Sequence, residues 1–386
     1  MNNLLGVIFF LAAAGLPFAQ SKDFFELVKT ATPQQAQAAI DQGADIKARD
    51  SNRCTALMYA ASTNPDPEVI SRLLKAGADI NARDKDGWTA LMYAVRHNQN
   101  HEVITTLVMA RADLKAQDKD GMTALMRAAG NNPDPEVISS LLKAGADINA
   151  RDKVGWTALR LAASNNQNPE VITAFLKAGA DVEARDNGGS TPLMAAASGN
   201  KNPEAIATLL KAGADIKAQD KDGLTALMWA ASTNPNPEVI TRLLKAGTDI
   251  KAQDKDGCTA LIYAAERNQN PEIVATLLKA GADLKAQDNY GSTALIFAAG
   301  YNQNPEIIAT LLKAGADLKA RDKSGKTALM YAAALNQNAD VVMALLKAGA
   351  DGKAKSNSGR TAFDYAKSNE RLKGTDALAK LEEGSE

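Results

Sequence analysis

Histidine, cysteine and net charge are nearly absent from this chain, and each shortage closes a class of function. Only two histidines occur in 386 residues, His97 and His101. Two histidines four apart hold a metal when both lie on one helix. Here Asn100, which has the character of a helix cap, stands between them, so they straddle a loop and no metal site is expected. The two cysteines, Cys54 and Cys258, form no Cys-x-x-Cys pair and no disulfide framework. Lys and Arg number 44 against 45 Asp and Glu, a formal net charge of −1. Phosphate binding wants a clear basic excess, so nucleic acid is not an expected partner. No Walker A sequence, dinucleotide fingerprint or nucleophile elbow is present. Asp84-Lys85-Asp86-Gly87 echoes a calcium loop but lacks the third acidic ligand and the closing Glu. An enzyme is therefore not expected, and neither is a cofactor.

Long apolar runs are missing too, with one exception. Leu4 to Leu16 is uncharged and apolar over 13 residues, short of the roughly 20 needed to span a bilayer. Pro17-Phe18-Ala19-Gln20 follows, with a plausible cleavage point after Ala19. Residues 1–19 read as a secretory signal peptide, although the Met-Asn-Asn start carries no Lys or Arg. Export to a periplasmic or extracellular space is expected, with no membrane insertion after cleavage.

What the chain has in abundance is one 34-residue unit, of which Asp254 to Gln287 is a clean copy. Gly-Ala-Asp recurs at Gly43, Gly77, Gly145, Gly179, Gly213, Gly281, Gly315 and Gly349, with altered copies at Arg111 and Gly247 on the same grid. A fixed period of this size marks a stacked repeat array. One elongated solenoid then absorbs nearly the whole length, because each unit buries its faces against its neighbours. Apolar residues make up 45% of the chain, enough for a continuous core of mainly Ala and Leu. Residues 21–49 read as an N-terminal capping repeat. Nine full units cover 50–355, starting at Asp50 and every 34 residues after it, and 356–386 read as a C-terminal capping repeat with a charged tail. Cys54 and Cys258 sit at one repeat position six units apart, about 50–60 Å at the usual 8–10 Å layer spacing, so no bridge joins them.

Each unit carries its own start and stop signals. Asp-Lys-Asp-Gly or a close variant is a tight turn, with the Gly free to take positive φ; Arg53 replaces that Gly in the first unit. Thr then caps a short first helix. Asn or Asp at 66, 100, 134 and so on to 338 caps a second helix, followed by Pro in seven of nine units and Glu in eight. Gly of Gly-Ala-Asp ends that helix in a left-handed cap. Arg111 in that place costs roughly 1 kcal/mol or more.

These features resemble the ankyrin repeat, a β-turn followed by two antiparallel helices. The signature appears as Thr259-Ala260-Leu261-Ile262-Tyr263-Ala264 and once as Thr191-Pro192-Leu193. The resemblance implies an all-α repeat solenoid of helix-turn-helix units joined by β-turn fingers. Two departures stand out. The unit has 34 residues rather than 33, and the signature His is absent throughout. An Asn-rich loop, Asn-Gln-Asn-Pro or Asn-Pro-Asp-Pro, is expected to replace its bonds between neighbours. The resemblance further implies a non-enzymatic module that binds another protein through its concave side of turn tips and first helices; the short signal and sparse cysteines fit a bacterial, exported type.

Positions that vary while the rest repeat are the candidates for recognition. One column precedes the Thr: Cys54, Trp88, Met122, Trp156, Ser190, Leu224, Cys258, Ser292, Lys326. Another ends the first helix: Thr63, His97, Asn131, Asn165, Gly199, Thr233, Arg267, Tyr301, Leu335. Trp88 and Trp156 are expected on projecting turns, as aromatic anchors of the kind found at binding hot spots. With Met122, Arg127 and Arg160 they form the first candidate patch; Arg267, Tyr290 and Tyr301 form the second. The column Tyr59, Tyr93, Trp229, Tyr263, Phe297, Tyr331 reads first as stacking at the core edge and second as ligand contact. A monomer is expected. A spacer or scaffold, a host-directed secreted effector and a carbohydrate or peptidoglycan binder are the competing readings.

Overall fold

The Asp that opens each unit organises the turn that follows it. In a computed structural model, which describes residues 21–385, the Asp254 carboxylate Oδ1 accepts the backbone N–H of Asp256 at 2.9 Å and of Cys258 at 2.8 Å. The Asp254 N–H closes the loop onto the Cys258 carbonyl at 3.1 Å, and Gly257 takes φ 80°. An added Cβ on Gly257 would lie 2.9 Å from the Asn289 nitrogen of the next finger, so this Gly serves the turn and the stacking together. Asn289 in turn donates its N–H to the Asp256 carbonyl at 2.7 Å.

Two helices follow each finger. In this unit they are Ala260–Arg267 and Pro271–Lys279, eight and nine residues long. The Thr259 hydroxyl accepts the Ile262 N–H at 3.4 Å and starts the first. Asn270 Oδ1 accepts the Glu272 N–H at 3.0 Å and starts the second, with Pro271 in its first turn. The expected caps recur, but Thr293 and Thr327 make no side-chain cap bond. The second helix ends as expected: Ala282 N–H reaches the Leu277 carbonyl and Gly281 N–H the Leu278 carbonyl, both at 3.0 Å, with Gly281 at φ 93°. Arg111 makes the same pair of bonds at φ 64°, and Arg53 takes φ 66° in the finger column. These two are the non-glycine residues with positive φ among those described.

Small residues let the first helices stack closely. Ala260, Ala264 and Ala265 are wholly buried or nearly so, with Leu261 and Ile262. The second helix buries Ile273, Val274 and Leu277 completely; each such side chain contributes about 1.5–3 kcal/mol as an upper figure. Among the described residues there are 22 helices and no strand, only an isolated bridge between Gln287 and Thr293.

Two asparagine ladders join neighbouring units at the loop between the helices. The first Asn of the loop is buried and reaches back to the preceding unit. Asn98 Nδ2 donates to the Ala61 carbonyl at 3.0 Å and to the Asn64 carbonyl at 2.8 Å. Asn268 does the same to Ala231 and Asn234, both at 2.9 Å. The capping Asn adds a second rung: Asn270 Nδ2 reaches the Pro235 carbonyl at 2.9 Å. Buried carbonyls left bare cost about 1–3 kcal/mol each, so the ladders hold neighbouring loops together.

The chain divides after Asn187 into two compact units. In the first, Ser21–Val28 and Pro33–Asp41 form a helix pair, with Phe24, Phe25 and Val28 buried and Thr32 in a capping box with Gln35. In the second, the C-terminal segment begins with a short helix, Ala362–Ala366. The charged tail is largely a helix, Asp376–Glu383, because Ala377 and Leu381 at i, i+4 spacing give it a buried stripe. The expected signal peptide lies outside the described residues.

Candidate functional site

The second oxygen of the opening Asp explains the aromatic column. Nine residues after that Asp, on the first helix, a side chain donates to Oδ2. Tyr59 bonds Asp50 at 2.7 Å, Tyr93 bonds Asp84 at 2.7 Å and Tyr263 bonds Asp254 at 2.6 Å. Tyr331 bonds Asp322 at 2.8 Å, and Trp229 donates its indole N–H to Asp220 at 3.0 Å. Each bond ties the finger to the helix it precedes. Burial and the bond to its carboxylate push the Tyr263 hydroxyl well above its ordinary range, and push Tyr331 up to about 12. The core-edge reading of this column holds, with the hydrogen bond as its missing reason.

Arginine performs the same task in the first candidate patch. Arg127 stands in the column and grips Asp118 through Nη2 and through Nε at 2.9 Å. Its guanidinium lies over the Trp88 ring, 4.5 Å from the centre, and Arg96 covers the ring from 5.4 Å. Where the column holds Ala195, Arg160 of the preceding unit donates its Nε to Asp186 at 3.0 Å and stacks over Trp156 at 4.0 Å. Burial pulls the Arg160 guanidinium down and the Asp186 carboxylate pulls it back up.

These contacts correct the expectation of projecting tryptophans. Trp88 and Trp156 are half-buried beneath arginines, and Met122 is buried at 8% exposure. The physical cause is the finger itself: the opening Asp Oδ1 binds the N–H of the residue before Thr, as Trp88 to Asp84 at 2.8 Å and Met122 to Asp118 at 2.9 Å. That bond draws the column inward, and none of its nine members is exposed. The first patch thus resolves into two pairs, Arg127 on Trp88 and Arg160 on Trp156, whose charges and rings are largely spent on one another.

The second patch is open. Tyr290 is 67% exposed on its finger and Tyr301 is 49% exposed at the end of Ala294–Tyr301. Arg267 ends the preceding first helix, lies over Tyr263 at 5.6 Å and pairs with Glu266 at 3.1 Å. All three line one cleft of about 360 Å³, with Asp288 and Phe297. The whole helix-end column, from Thr63 to Leu335, is exposed. Cys258 is buried at the cleft wall, and burial pushes its thiol up to about 12, which makes it a poor nucleophile. Cys54 is also free and buried.

Of the two histidines, His101 bonds Ser140 Oγ at 3.0 Å and His97 packs beside Tyr93. Among the described residues no group of three His, Cys, Asp or Glu is placed to hold a metal ion. No helix among them is long and apolar enough to cross a membrane.

The architecture is an all-α repeat solenoid of finger-and-helix-pair units. The sequence matches the ankyrin-repeat family profile over residues 25–118, 97–186, 125–220, 161–254, 227–322 and 295–385. The chain belongs to the ankyrin-repeat family, whose members are generally non-enzymatic protein–protein interaction modules. No curated protein matches the chain significantly.

Proposed function

We propose that the chain is an exported module that binds a partner protein through its fingers and first helices, with the main contacts around Tyr290, Tyr301 and Arg267. The observation that carries this reading is the exposure of two tyrosines and an arginine around one cleft. Tyrosine and arginine are the residue types enriched at binding hot spots. They stand on the side where the repeat positions differ, whereas the second helices repeat their pattern. A carbohydrate platform is less favoured, since the Trp88 and Trp156 faces are already covered by arginine and the tyrosines of the Asp-bonded column are committed. A bare spacer gives no reason for a cleft edged by exposed tyrosines. A host-directed effector role concerns where the module acts, and the same binding face would serve it. Export rests on the Leu4–Leu16 run and Ala19; the periplasm is the compartment proposed, with the mature chain a monomer.

Affinity capture from a periplasmic extract tests the binding reading. The wild-type chain should recover a partner, and Tyr290→Ala with Tyr301→Ala should lose most of it. Equal recovery by the double variant overturns the site. N-terminal sequencing of the mature protein tests export, and an intact Met1 in the soluble fraction refutes it.

A further inference from the structure

Among the described residues, Asp288 and Asp152 are the finger carboxylates to whose Oδ2 no side chain of the array donates, and Asp288 is the more buried of the two. Its Oδ1 accepts the N–H of Tyr290 at 2.9 Å and of Ser292 at 2.7 Å, as the turn requires. Nine residues on, the column holds Phe297, which has nothing to donate. Oδ2 has no donor among the described residues, although Asp288 is only 9% exposed and lines the cleft. Asp186 faces Ala195 in the column, and there Arg160 donates to its Oδ2 from the unit before. At Asp288 the corresponding residue of the preceding unit is Ile262, which is apolar.

The charge around this oxygen is unbalanced. Asp256, Glu266 and Asp288 line the cleft against a single cation, Arg267, which is held by Glu266. Aromatic residues Tyr263, Phe297 and Tyr301 form much of the remaining wall, beside Cys258, Ser292 and Ile296. A buried carboxylate with one oxygen open, beside π faces, selects a cation that is planar and donates several hydrogen bonds. The chain contains the template: Arg127 fills the same place at Asp118, bonding the carboxylate and stacking on Trp88.

We propose that the Asp288 cleft receives the guanidinium of an arginine side chain on the partner protein, which donates to Oδ2 in the place that Phe297 leaves empty. This rests on the protein-binding reading and names the chemistry of the partner. Tyr290 and Tyr301 flank the entry, and the guanidinium lies over the rings with its edge toward Asp288. Arginine fits better than lysine because a planar fork can bond one oxygen and stack at once, as Arg127 does.

The test uses N-acetyl-arginine amide as the probe, with N-acetyl-citrulline amide as its neutral isostere, in ligand-observed NMR titrations against the full chain. Arginine amide should bind at least tenfold more tightly than citrulline amide. Phe297→Tyr should lower that binding at least tenfold, since its hydroxyl reaches Asp288 as Tyr263 reaches Asp254. Tyrosine is already the commonest residue of this column, and an unchanged or higher Tm will verify that the variant folds. Asp288→Asn, which keeps an Oδ1 acceptor for the turn, should give the same loss. Equal binding of the two amides, or undiminished arginine binding by Phe297→Tyr, overturns the proposal. The two readings fail separately. A partner recovered equally by wild type and Phe297→Tyr sinks the arginine cleft and leaves protein binding standing. Absence of any recovered partner sinks protein binding, while the amide titration still decides the cleft.

Discussion

The fingers at Asp118 and Asp288 begin from the same turn and end in opposite states. Both carboxylates fix their own finger through Oδ1. At Asp118 the other oxygen is closed by Arg127, and the Asp side chain is 1% exposed. At Asp288 it faces a cleft because Phe297 replaces the donor. One side chain, nine residues from a constant Asp, decides whether a unit seals itself or leaves a place for something else. Variation in this array therefore acts by completing or withholding a bond, as well as by changing what projects.

The contrast breaks hardest at Arg127. Arg127→Ala leaves a buried carboxylate without its counter-charge and should cost about 3–5 kcal/mol, read as a lowered urea midpoint. Arg267→Ala is the control at the open finger. Its side chain is 58% exposed, against 13% for Arg127, so the loss should stay within about 1 kcal/mol. Equal costs would mean that the closed finger is not held by its ion pair.

Next come the asparagine ladders, which are alike in both compact units. Asn98→Ala and Asn268→Ala each strip two carbonyls of their donor. Each should cost about 2 kcal/mol or somewhat more, and by similar amounts. A large difference between the two midpoints would show that the units differ in more than their fingers.

Why some of this was legible in the sequence and some was not follows from the range of each constraint. Asn270-Pro271-Glu272 and Gly281 act within a turn of the chain, so their residue types announce a helix start and a stop without reference to anything distant. The Asn-rich loop was equally visible, and its donor-rich side chains pointed to bonds between units. The Asp–Tyr clasp was hidden because Tyr, Trp and Arg look unrelated when read as sizes or polarities. Read as donors, Tyr93, Arg127 and Trp229 are one class, and Leu161, Ala195 and Phe297 another. Trp88 and Trp156 differ from the expected projection for a related reason. Whether a finger residue projects depends on the backbone bond that Asp Oδ1 makes four residues on, and Trp at such a position looks like an anchor until that bond is seen. Open clefts were beyond reach, since the exposure of Tyr290 and Tyr301 depends on what the adjacent units place beside them.

A smaller effect sharpens the clasp. Tyr263→Phe should cost about 1.5–3 kcal/mol, the range for a hydrogen bond to a charged group. Its pH dependence has a definite sign. The fold raises the Tyr263 pKa, so it favours the neutral hydroxyl. That contribution is complete below the unfolded value near 10 and fades as pH rises beyond it. Wild type should thus lose more stability than Tyr263→Phe between about pH 10 and 11.5. Parallel losses would place the alkaline transition elsewhere.

The smallest effect compares two strained arginines. Arg53 and Arg111 both sit at positive φ where the other units place Gly. Arg111→Gly should stabilise by roughly 1 kcal/mol, since the left-handed conformation costs an L-residue about 1–2 kcal/mol and Gly returns part of that in unfolded-state entropy. Space is not the issue there, because an added Cβ at the equivalent Gly77 and Gly145 meets nothing within 4 Å. The Arg53 column is different. An added Cβ on Gly87 would come within 3.0 Å of the Asp118 Cα, and on Gly121 within 3.0 Å of the Lys153 nitrogen. Arg53 therefore carries crowding against the next finger as well as backbone strain, and Arg53→Gly should raise Tm more than Arg111→Gly does. The reverse order would mean that the first finger has already moved away from its neighbour to admit the side chain.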